Sequence, residues 1–222
     1  MILMQTLELL VQNSGTKAHQ FQFPESIPTR PNVLKLSKWY AMEIFIIEEQ
    51  INKLEQELGI SSSCQKGCAA CCMQLIVLNN ADTLMLELAI NNLGQHTKRK
   101  IKDTIMEQCQ ILTKNGFHNS SIPIPMSRPS QLEMQKKFFS LKLPCPLLDE
   151  NGSCSVYSVR PSQCWSYRNY GSPSDCSTTP NPPAGIAFED WERQLLHRLL
   201  QTKKPSLHAN LTILQFALQS SL

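Results

Sequence analysis

Residues 61–72 read SSSCQKGCAACC, a stretch that places four cysteines within nine positions: Cys64, Cys68, Cys71 and Cys72. If the stretch were an α-helix, the four sulfurs would share one stripe within an arc of about 100°. The preceding serines are favoured N-cap residues, and a helix N-terminus favours ionisation of a nearby thiol. Gly67 weakens a continuous helix, so a tight turn that enters a helix at about Cys68 is equally admissible.

Four thiols this close together favour metal or iron–sulfur ligation over the alternatives. An apolar helix stripe would normally use leucine or isoleucine, and neighbours on one helix seldom reach the geometry of a disulfide. Cys71 and Cys72 are adjacent, which is awkward for two ligands of one tetrahedral ion. One of the two would serve a second metal, bridge two metals or remain a reactive thiol.

A second group of cysteines is dispersed through residues 143–186, a proline-rich segment without periodicity. The group comprises Cys145, Cys154, Cys164 and Cys176. The sequence DENG at residues 149–152 is a turn signal that would fold the first of these back toward the second. Pro161 favours a short helical turn with Cys164 just inside it. The spacing alone matches no common zinc-finger register, but metal ligation would order a segment that has little other source of order.

Composition indicates a globular chain with a core of its own. The chain has 222 residues, 41% of them hydrophobic, with 14 Pro, 8 Gly and 9 Cys, which excludes collagen-like, coiled-coil and low-complexity proteins. An odd number of cysteines leaves at least one thiol unpaired. The N-terminus lacks a basic region and a cleavage site, and no run is long enough to span a membrane, so we expect a cytoplasmic protein. In such a reducing compartment, clustered cysteines are more often ligands or redox groups than disulfides.

Apolar periodicity predicts a mainly α fold, in which the irregular cysteine-rich segment is held by the metal site. The longest predicted helix, residues 33–58, carries apolar side chains at intervals of three and four. In the helix predicted at 97–115, Cys109 shares a face with aliphatic side chains, which predicts a core position rather than a ligand. The other predicted helices span residues 1–12, 81–93, 131–141, 187–202 and 206–220, the last two separated at Pro205. We expect residues 1–32 to form an N-terminal helix with a proline-rich connector, and residues 33–222 to form one helical domain.

The two cysteine groups, in this order, resemble the YkgJ-type cysteine-cluster family. The first has the spacing CxxxCxxCC, and the second reads CPLLDENGSCSVYSVRPSQC over residues 145–164. The family is described as a zinc- or iron-chelating domain, and a similar module accompanies flagellin lysine methylases. The resemblance covers about residues 60–180, leaves out Cys109 and places Asp82 where the family often has an acidic residue. It implies that eight cysteines form the chelating site: Cys64, Cys68, Cys71, Cys72, Cys145, Cys154, Cys164 and Cys176.

An all-thiolate ligand set suits Zn²⁺ or an iron–sulfur cluster. The wide ligand spacing and the extra vicinal cysteine favour iron–sulfur slightly over zinc. One hypothesis assigns the metal to redox or protein-modification chemistry, in an iron–sulfur oxidoreductase or an accessory modification enzyme. The alternative is a structural zinc module in a helical protein-interaction domain without catalysis.

Other residues carry weaker signals. Tyr157, Arg160, Tyr167 and Arg168 could donate hydrogen bonds to ligating sulfurs, bind an anionic substrate, or simply pack locally. The five histidines are scattered without ligand spacing. The net charge of +3 comes from scattered basic residues, which speaks against a nucleic-acid partner, and no motif identifies a protein or small-molecule partner.

Overall fold

The structure, a computed structural model, describes residues 2–24, 26–29, 32–118, 127–202 and 211–219. Its helices are Ile2–Gln20 (α1), Val33–Glu57 (α2), Asn80–Asn91 (α3), Gln95–Lys114 (α4), Arg128–Ser140 (α5), Ser162–Ser166 (α6), Pro173–Thr178 (α7), Glu189–Gln201 (α8) and Leu214–Gln219 (α9), with a 3₁₀ turn at Tyr157–Val159. Its short strands are Val77–Leu78 (β1), Tyr167–Asn169 (β2), Gly185–Ala187 (β3) and Thr212–Ile213 (β4). The prediction of a mainly α fold is confirmed.

Helix α2 runs through the core and confirms the prediction for residues 33–58. The side chain of Asn32 caps it by accepting a hydrogen bond of 2.9 Å from the backbone N–H of Lys35, which satisfies a free donor of the first turn. Gly59, at φ +64°, follows its end, as is common where a helix stops. The apolar stripe is buried along its length: Leu36, Tyr40, Ile44, Ile47, Ile51 and Leu54.

Helix α1 extends to Gln20, beyond the predicted end at residue 12. Gly15 lies mid-helix, where a Cβ would come within 2.9 Å of a carboxylate oxygen of Asp190 in α8. The neighbouring Ser14 is buried and accepts a hydrogen bond of 3.0 Å from the Trp191 indole. Poor local helix formers are therefore kept helical by packing on α8, which outweighs their propensity.

Helices α4 and α9 pack against each other, and their contact places Cys109. The Cys109 side chain is 3% exposed, among the apolar residues of the core, so the prediction of a buried position is confirmed. Beside it, Gln108 accepts a hydrogen bond of 3.0 Å from Gln215 of α9. The amide of Gln108 also donates to the carbonyl of Pro144 at 2.8 Å, which ties this helix pair to the start of the second cysteine group.

The segment 143–186 contains only short elements, as its prolines predict. Strands β2 and β3 form one antiparallel ribbon, with Tyr167 opposite Ala187 and Asn169 opposite Gly185. A second ribbon pairs β1 with β4. Two or three residues per strand leave little room for an alternating pattern, so the sequence analysis did not find these strands.

The remaining helix boundaries agree with prediction to within three residues, except at the C-terminus. Of the predicted helix 206–220, residues 206–210 and 220 lie outside the described part of the chain. Residues 212–213 are strand, because they pair with β1, and the helix begins only at Leu214. No helix in the described ranges is both long and apolar enough to cross a membrane.

Candidate metal site

The first cysteine group is a succession of tight turns and not a helix, so the helical interpretation is wrong. Backbone N–H groups of Cys68 and Cys72 donate to carbonyls three residues earlier, both at 2.9 Å. Gly67 adopts φ +91°, a conformation that an α-helix cannot include. The sequence also allowed a tight turn that leads into a helix at about Cys68. The turn is present, but no helix begins there.

The second group is folded by the turn that DENG predicts. The Asp149 carboxylate accepts hydrogen bonds of 2.8 Å from the backbone N–H groups of Asn151 and Ser153. Leu148 then pairs with Cys154 in an isolated antiparallel bridge, which brings that cysteine back toward Cys145. The short helix predicted after Pro161 is also confirmed, since α6 carries the third cysteine of the group.

Hydrogen bonds over long sequence distances join the two groups. The backbone N–H of Cys145 donates to the carbonyl of Cys72 at 2.6 Å. The amide of Gln74 donates to the carbonyl of Cys176 at 3.0 Å. The side-chain oxygen of Gln163, next to the cysteine of α6, accepts from the backbone N–H of Val77 at 2.9 Å.

One cavity brings together all eight cysteines that the resemblance implied. It has a volume of about 930 Å³, is open to solvent, and is lined by both cysteine groups in full but not by Cys109. All nine cysteines are free thiols. Cys164 is exposed into the cavity, whereas Cys176 is buried in its wall. Within the described ranges, no three His, Cys, Asp or Glu side chains converge tightly enough to hold a metal ion, so the sulfurs line the cavity rather than meet at one point.

Burial and mutual proximity raise the pKa of several of these thiols. Burial raises the pKa of Cys145 to about 12, and the nearby thiols of Cys154 and Cys71 contribute. Burial likewise raises the pKa of Cys176 to about 11, with thiols of the first group contributing. For Cys71, a hydrogen bond with Cys72 is the largest cause of a raised pKa, and burial is the next. The hydrogen bond with Cys72 and burial, respectively, keep the pKa of Cys71 and of Cys64 raised, although Arg160 favours the ionised form of the first thiol and Arg168 that of the second.

Asp82 lies behind the cavity wall and not in it. Its buried carboxylate accepts hydrogen bonds from the Tyr40 hydroxyl at 3.0 Å, and from the backbone N–H and hydroxyl of Ser162 at 3.2 and 3.1 Å. Burial raises the pKa of this carboxyl group above its ordinary value. Asp82 therefore connects α2 and α3 to the start of the short helix that carries Cys164.

Two arginines form a charged wall of the cavity, and both are engaged in ion pairs. The guanidinium of Arg160 pairs with Glu48 and stacks 3.9 Å from the ring centre of Tyr157. Arg168 pairs with Glu55 at 2.9 Å, and the two side chains are each 9% exposed. Local packing thus accounts for these side chains better than solvent-facing charge does.

Sequence reasoning did not find Gln74, Gln163 and Asn169, which position the cysteine segments. They are polar residues within ten positions of a cysteine, and neither periodicity nor motif distinguishes them from surface residues. Of the five histidines, His208 lies outside the described ranges, and the other four do not line the cavity.

Comparison with known families agrees with this geometry. The family model CxxCxxCC, described as "Putative zinc- or iron-chelating domain", matches residues 63–184, more than half of the chain. No curated protein and no solved structure matches the chain significantly. The matched span holds both cysteine groups together with the turns and short elements that carry them. The chain therefore belongs to the CxxCxxCC family of zinc- or iron-chelating domains.

Proposed function

We propose that the eight cysteines of the cavity bind metal, as an iron–sulfur cluster or as Zn²⁺ ions. The observation that carries this proposal is the sorting of the nine thiols: eight line one cavity, and the ninth, Cys109, is buried in the core. The donor set fits a thiophilic metal, because thiolates select zinc and iron–sulfur clusters. We place the protein in the cytoplasm, where a reducing environment keeps such thiols available.

The electrostatics of the cavity support a cationic occupant. Burial and neighbouring thiols raise the pKa of Cys145 to about 12, so the apo site resists ionisation at neutral pH. A bound cation inverts this balance, because a coordinating thiol is deprotonated and its charge is neutralised. Metal binding would then release protons and draw the sulfurs inward, since preformed metal sites are rare without the metal.

The extent of the site favours an iron–sulfur cluster slightly over separate zinc ions. The cavity measures about 930 Å³, against roughly 30 Å³ for one water molecule. A multinuclear cluster uses such a space better than a single tetrahedral ion does. The adjacent pair Cys71 and Cys72 has the same implication, because one of the two is in excess for one ion.

The opening of the cysteine cavity to solvent supports redox or protein-modification chemistry. A purely structural site is usually closed, whereas a reactive one keeps an accessible position. Cys164 is exposed into the cavity, so a substrate or redox partner can reach it. When bound, an iron–sulfur cluster would supply one-electron transfer. The protein's own contribution is to orient the thiols and to keep Arg160 and Arg168 as fixed positive charges in the wall.

A structural zinc module is the second candidate, and one observation favours it. The four cysteines of the second group lie on different short segments, and hydrogen bonds join three of these segments to residues 72–77. A metal that connects them would hold residues 143–186 in place. Under this alternative, chelation should loosen that segment and change no activity.

Anaerobic purification followed by metal analysis and visible absorption tests the proposal. A brown protein with iron and acid-labile sulfide would establish an iron–sulfur cluster. Stoichiometric zinc without colour would establish zinc. A well-folded, fully reduced protein that retains neither metal after reconstitution with both would overturn the metal proposal.

Chelation separates the two candidates. Hydrogen exchange is compared before and after metal removal, with α2 as the internal reference because its apolar stripe is buried. Faster exchange in 143–186, together with a metal-bound site that takes up no electrons, would favour the structural module. Reversible reduction of the bound metal would favour redox chemistry.

A further inference from the structure

The Tyr167 ring lies in the cavity wall, in a space that is free only because residue 185 is a glycine. In the β2–β3 ribbon, Asn169 is the residue opposite Gly185, and the Tyr167 ring lies diagonally across to the same glycine. A Cβ at position 185 would stand 1.8 Å from the Tyr167 hydroxyl oxygen and 2.6 Å from the ring carbon that bears it. The ring position is therefore fixed by packing, since any side chain at 185 would displace it.

The Tyr167 hydroxyl is buried and has no hydrogen-bond partner among the described residues. Other buried tyrosine hydroxyls in this protein are paired: Tyr40 donates to Asp82 at 3.0 Å, and Tyr170 donates to Glu55 at 2.7 Å. A buried hydroxyl normally finds a partner, because leaving one unpaired is costly. Tyr167, which lines the cysteine cavity, is one of four described residues with an unpaired buried polar side-chain atom, the others being Trp39, Trp165 and Gln215.

Tyr167 and the eight cysteines line the same cavity, so thiols lie near this hydroxyl. Burial raises the pKa of Tyr167, and the nearby Cys176, Cys64 and Cys71 contribute in that order. A tyrosine hydroxyl is protonated at neutral pH, so it can donate a hydrogen bond. A metal-bound thiolate accepts a hydrogen bond more strongly than a neutral thiol does.

The same strand already donates one hydrogen bond to a cysteine sulfur. The backbone N–H of Asn169 donates to the sulfur of Cys64 at 3.2 Å. Strand β2 thus presents two donors toward this side of the cavity, the backbone N–H of Asn169 and the Tyr167 hydroxyl. Donors of this kind orient metal ligands and tune the metal from outside the coordination shell.

We propose that Tyr167 is a positioning residue of the metal site, whose hydroxyl donates a hydrogen bond to a metal-bound thiolate on the side formed by Cys64, Cys71 and Cys176. This inference rests on the proposed metal-binding function and goes beyond it by assigning a residue that is not a ligand. Gly185 is part of this arrangement, because the absence of a side chain at that position makes room for the Tyr167 ring.

Tyr167→Phe tests the proposal, with Tyr170→Phe as the matched control. Reduced apoprotein is titrated with Co²⁺ alone, and affinity is measured by competition with a chromophoric chelator. Tyr167→Phe should bind Co²⁺ about 10–100-fold more weakly and shift the sulfur-to-cobalt charge-transfer band to lower energy, because the thiolate loses a donor. Its apoprotein should unfold at the same temperature or higher, since the hydroxyl has no apo partner to lose. Tyr170→Phe should lower apo stability and leave the cobalt band in place.

The outcomes separate this inference from the proposed function. Equal Co²⁺ affinity and an unshifted band in Tyr167→Phe would overturn the role of Tyr167 and leave metal binding intact. A wild-type protein that binds no Co²⁺ would overturn both. If Tyr167→Phe does not fold, wild-type protein carrying a 13C label at the Cζ atom of Tyr167 alone decides: a Cζ chemical shift that moves toward hydrogen-bond donation on loading with Zn²⁺ supports the inference, and an unchanged shift overturns it.

Discussion

The backbone N–H of Asn169 donates a hydrogen bond of 3.2 Å to the sulfur of Cys64, across a sequence separation of 105 residues. The carbonyl of Asn169 in turn accepts from the backbone N–H and the hydroxyl of Ser63, at 2.8 and 2.9 Å. Residues 63–64 are therefore attached to strand β2 through both backbone polar groups of one residue, Asn169. The position of Cys64 in the cavity depends on that strand.

Asn169→Ala should destabilise the protein by about 1–3 kcal/mol, because it removes the hydrogen bonds of a fully buried side chain. The Asn169 side chain is buried, and its amide donates to the carbonyl of Ser172 at 2.8 Å. Loss of this bond frees β2 and with it Cys64, so metal affinity should fall as well. Urea denaturation and metal titration measure the two effects. Asn181→Ala, at an exposed site, is the control, and an effect no larger than the control's would contradict the prediction.

Substitution of a proposed ligand cysteine should lower the metal content of the protein, whereas substitution of the core cysteine should not. Cys68→Ser and Cys154→Ser remove thiols that line the cavity and should lower both metal content and stability. Cys109→Ala should leave metal content unchanged and cost about 1 kcal/mol in stability, because it removes a buried sulfur from the core. Metal analysis of the three purified variants checks this, and loss of metal from the Cys109 variant would refute the assignment of ligands.

Asp82→Asn should change how stability depends on pH. Burial raises the pKa of Asp82 in the folded state, so the folded protein holds the proton more tightly than the unfolded chain does. The contribution of the carboxyl group is then complete below the unfolded value of about 3.9 and is lost as the pH rises through the folded value. The charged or titratable groups that interact with it are Tyr40 and Glu192.

The difference in unfolding free energy between wild type and Asp82→Asn should therefore be largest at acid pH. Urea denaturation of both proteins across a pH series measures this difference. Subtracting one free energy of unfolding from the other cancels the pH-dependent contribution of the other carboxylates. A difference that grows as the pH rises would show that Asp82 is stabilised as the anion. At neutral pH the variant should still be less stable than the wild type by about 1–3 kcal/mol, because its amide cannot accept hydrogen bonds from all the groups that donate to Asp82.

Glu55→Gln should destabilise the fold far more than removal of an exposed ion pair. It leaves the guanidinium of Arg168 buried without its partner at 2.9 Å, which typically costs about 3–5 kcal/mol. Glu150→Gln is the matched control, because its pair with Lys100 is long, at 3.5 Å, and exposed, and such pairs contribute about 0–1 kcal/mol. Equal costs in urea denaturation would mean that the buried pair is screened by water in the cavity.

The long helices could be predicted because their signals are local. The stripe of α2, from Tyr40 to Leu54, and the position of Cys109 both follow from apolar periodicity. The end of α1 could not be predicted, since Ser14 and Gly15 favour a stop and only the contact with α8 keeps them helical. Tertiary packing outweighs local propensity there.

For the candidate site, the sequence predicted which cysteines belong together but not how they are held. Apolar periodicity placed Cys109 in the core, the family resemblance implied the other eight as one set, and the sequence DENG marked the turn at residues 149–152. The contact of the Tyr167 ring with Gly185 depends on the register of β2 and β3, and three-residue strands carry no pattern that would reveal it.

The pairing of Asn169 with Cys64 also bears on how the site is completed during protein synthesis. At about 5–20 residues per second, the ribosome adds the partner segment roughly 5–20 s after the first four thiols. During that interval these cysteines are without the strand, the arginines and the second set of thiols that surround them in the finished fold. Metal delivered before residue 176 has been added would therefore meet only part of the proposed ligand set.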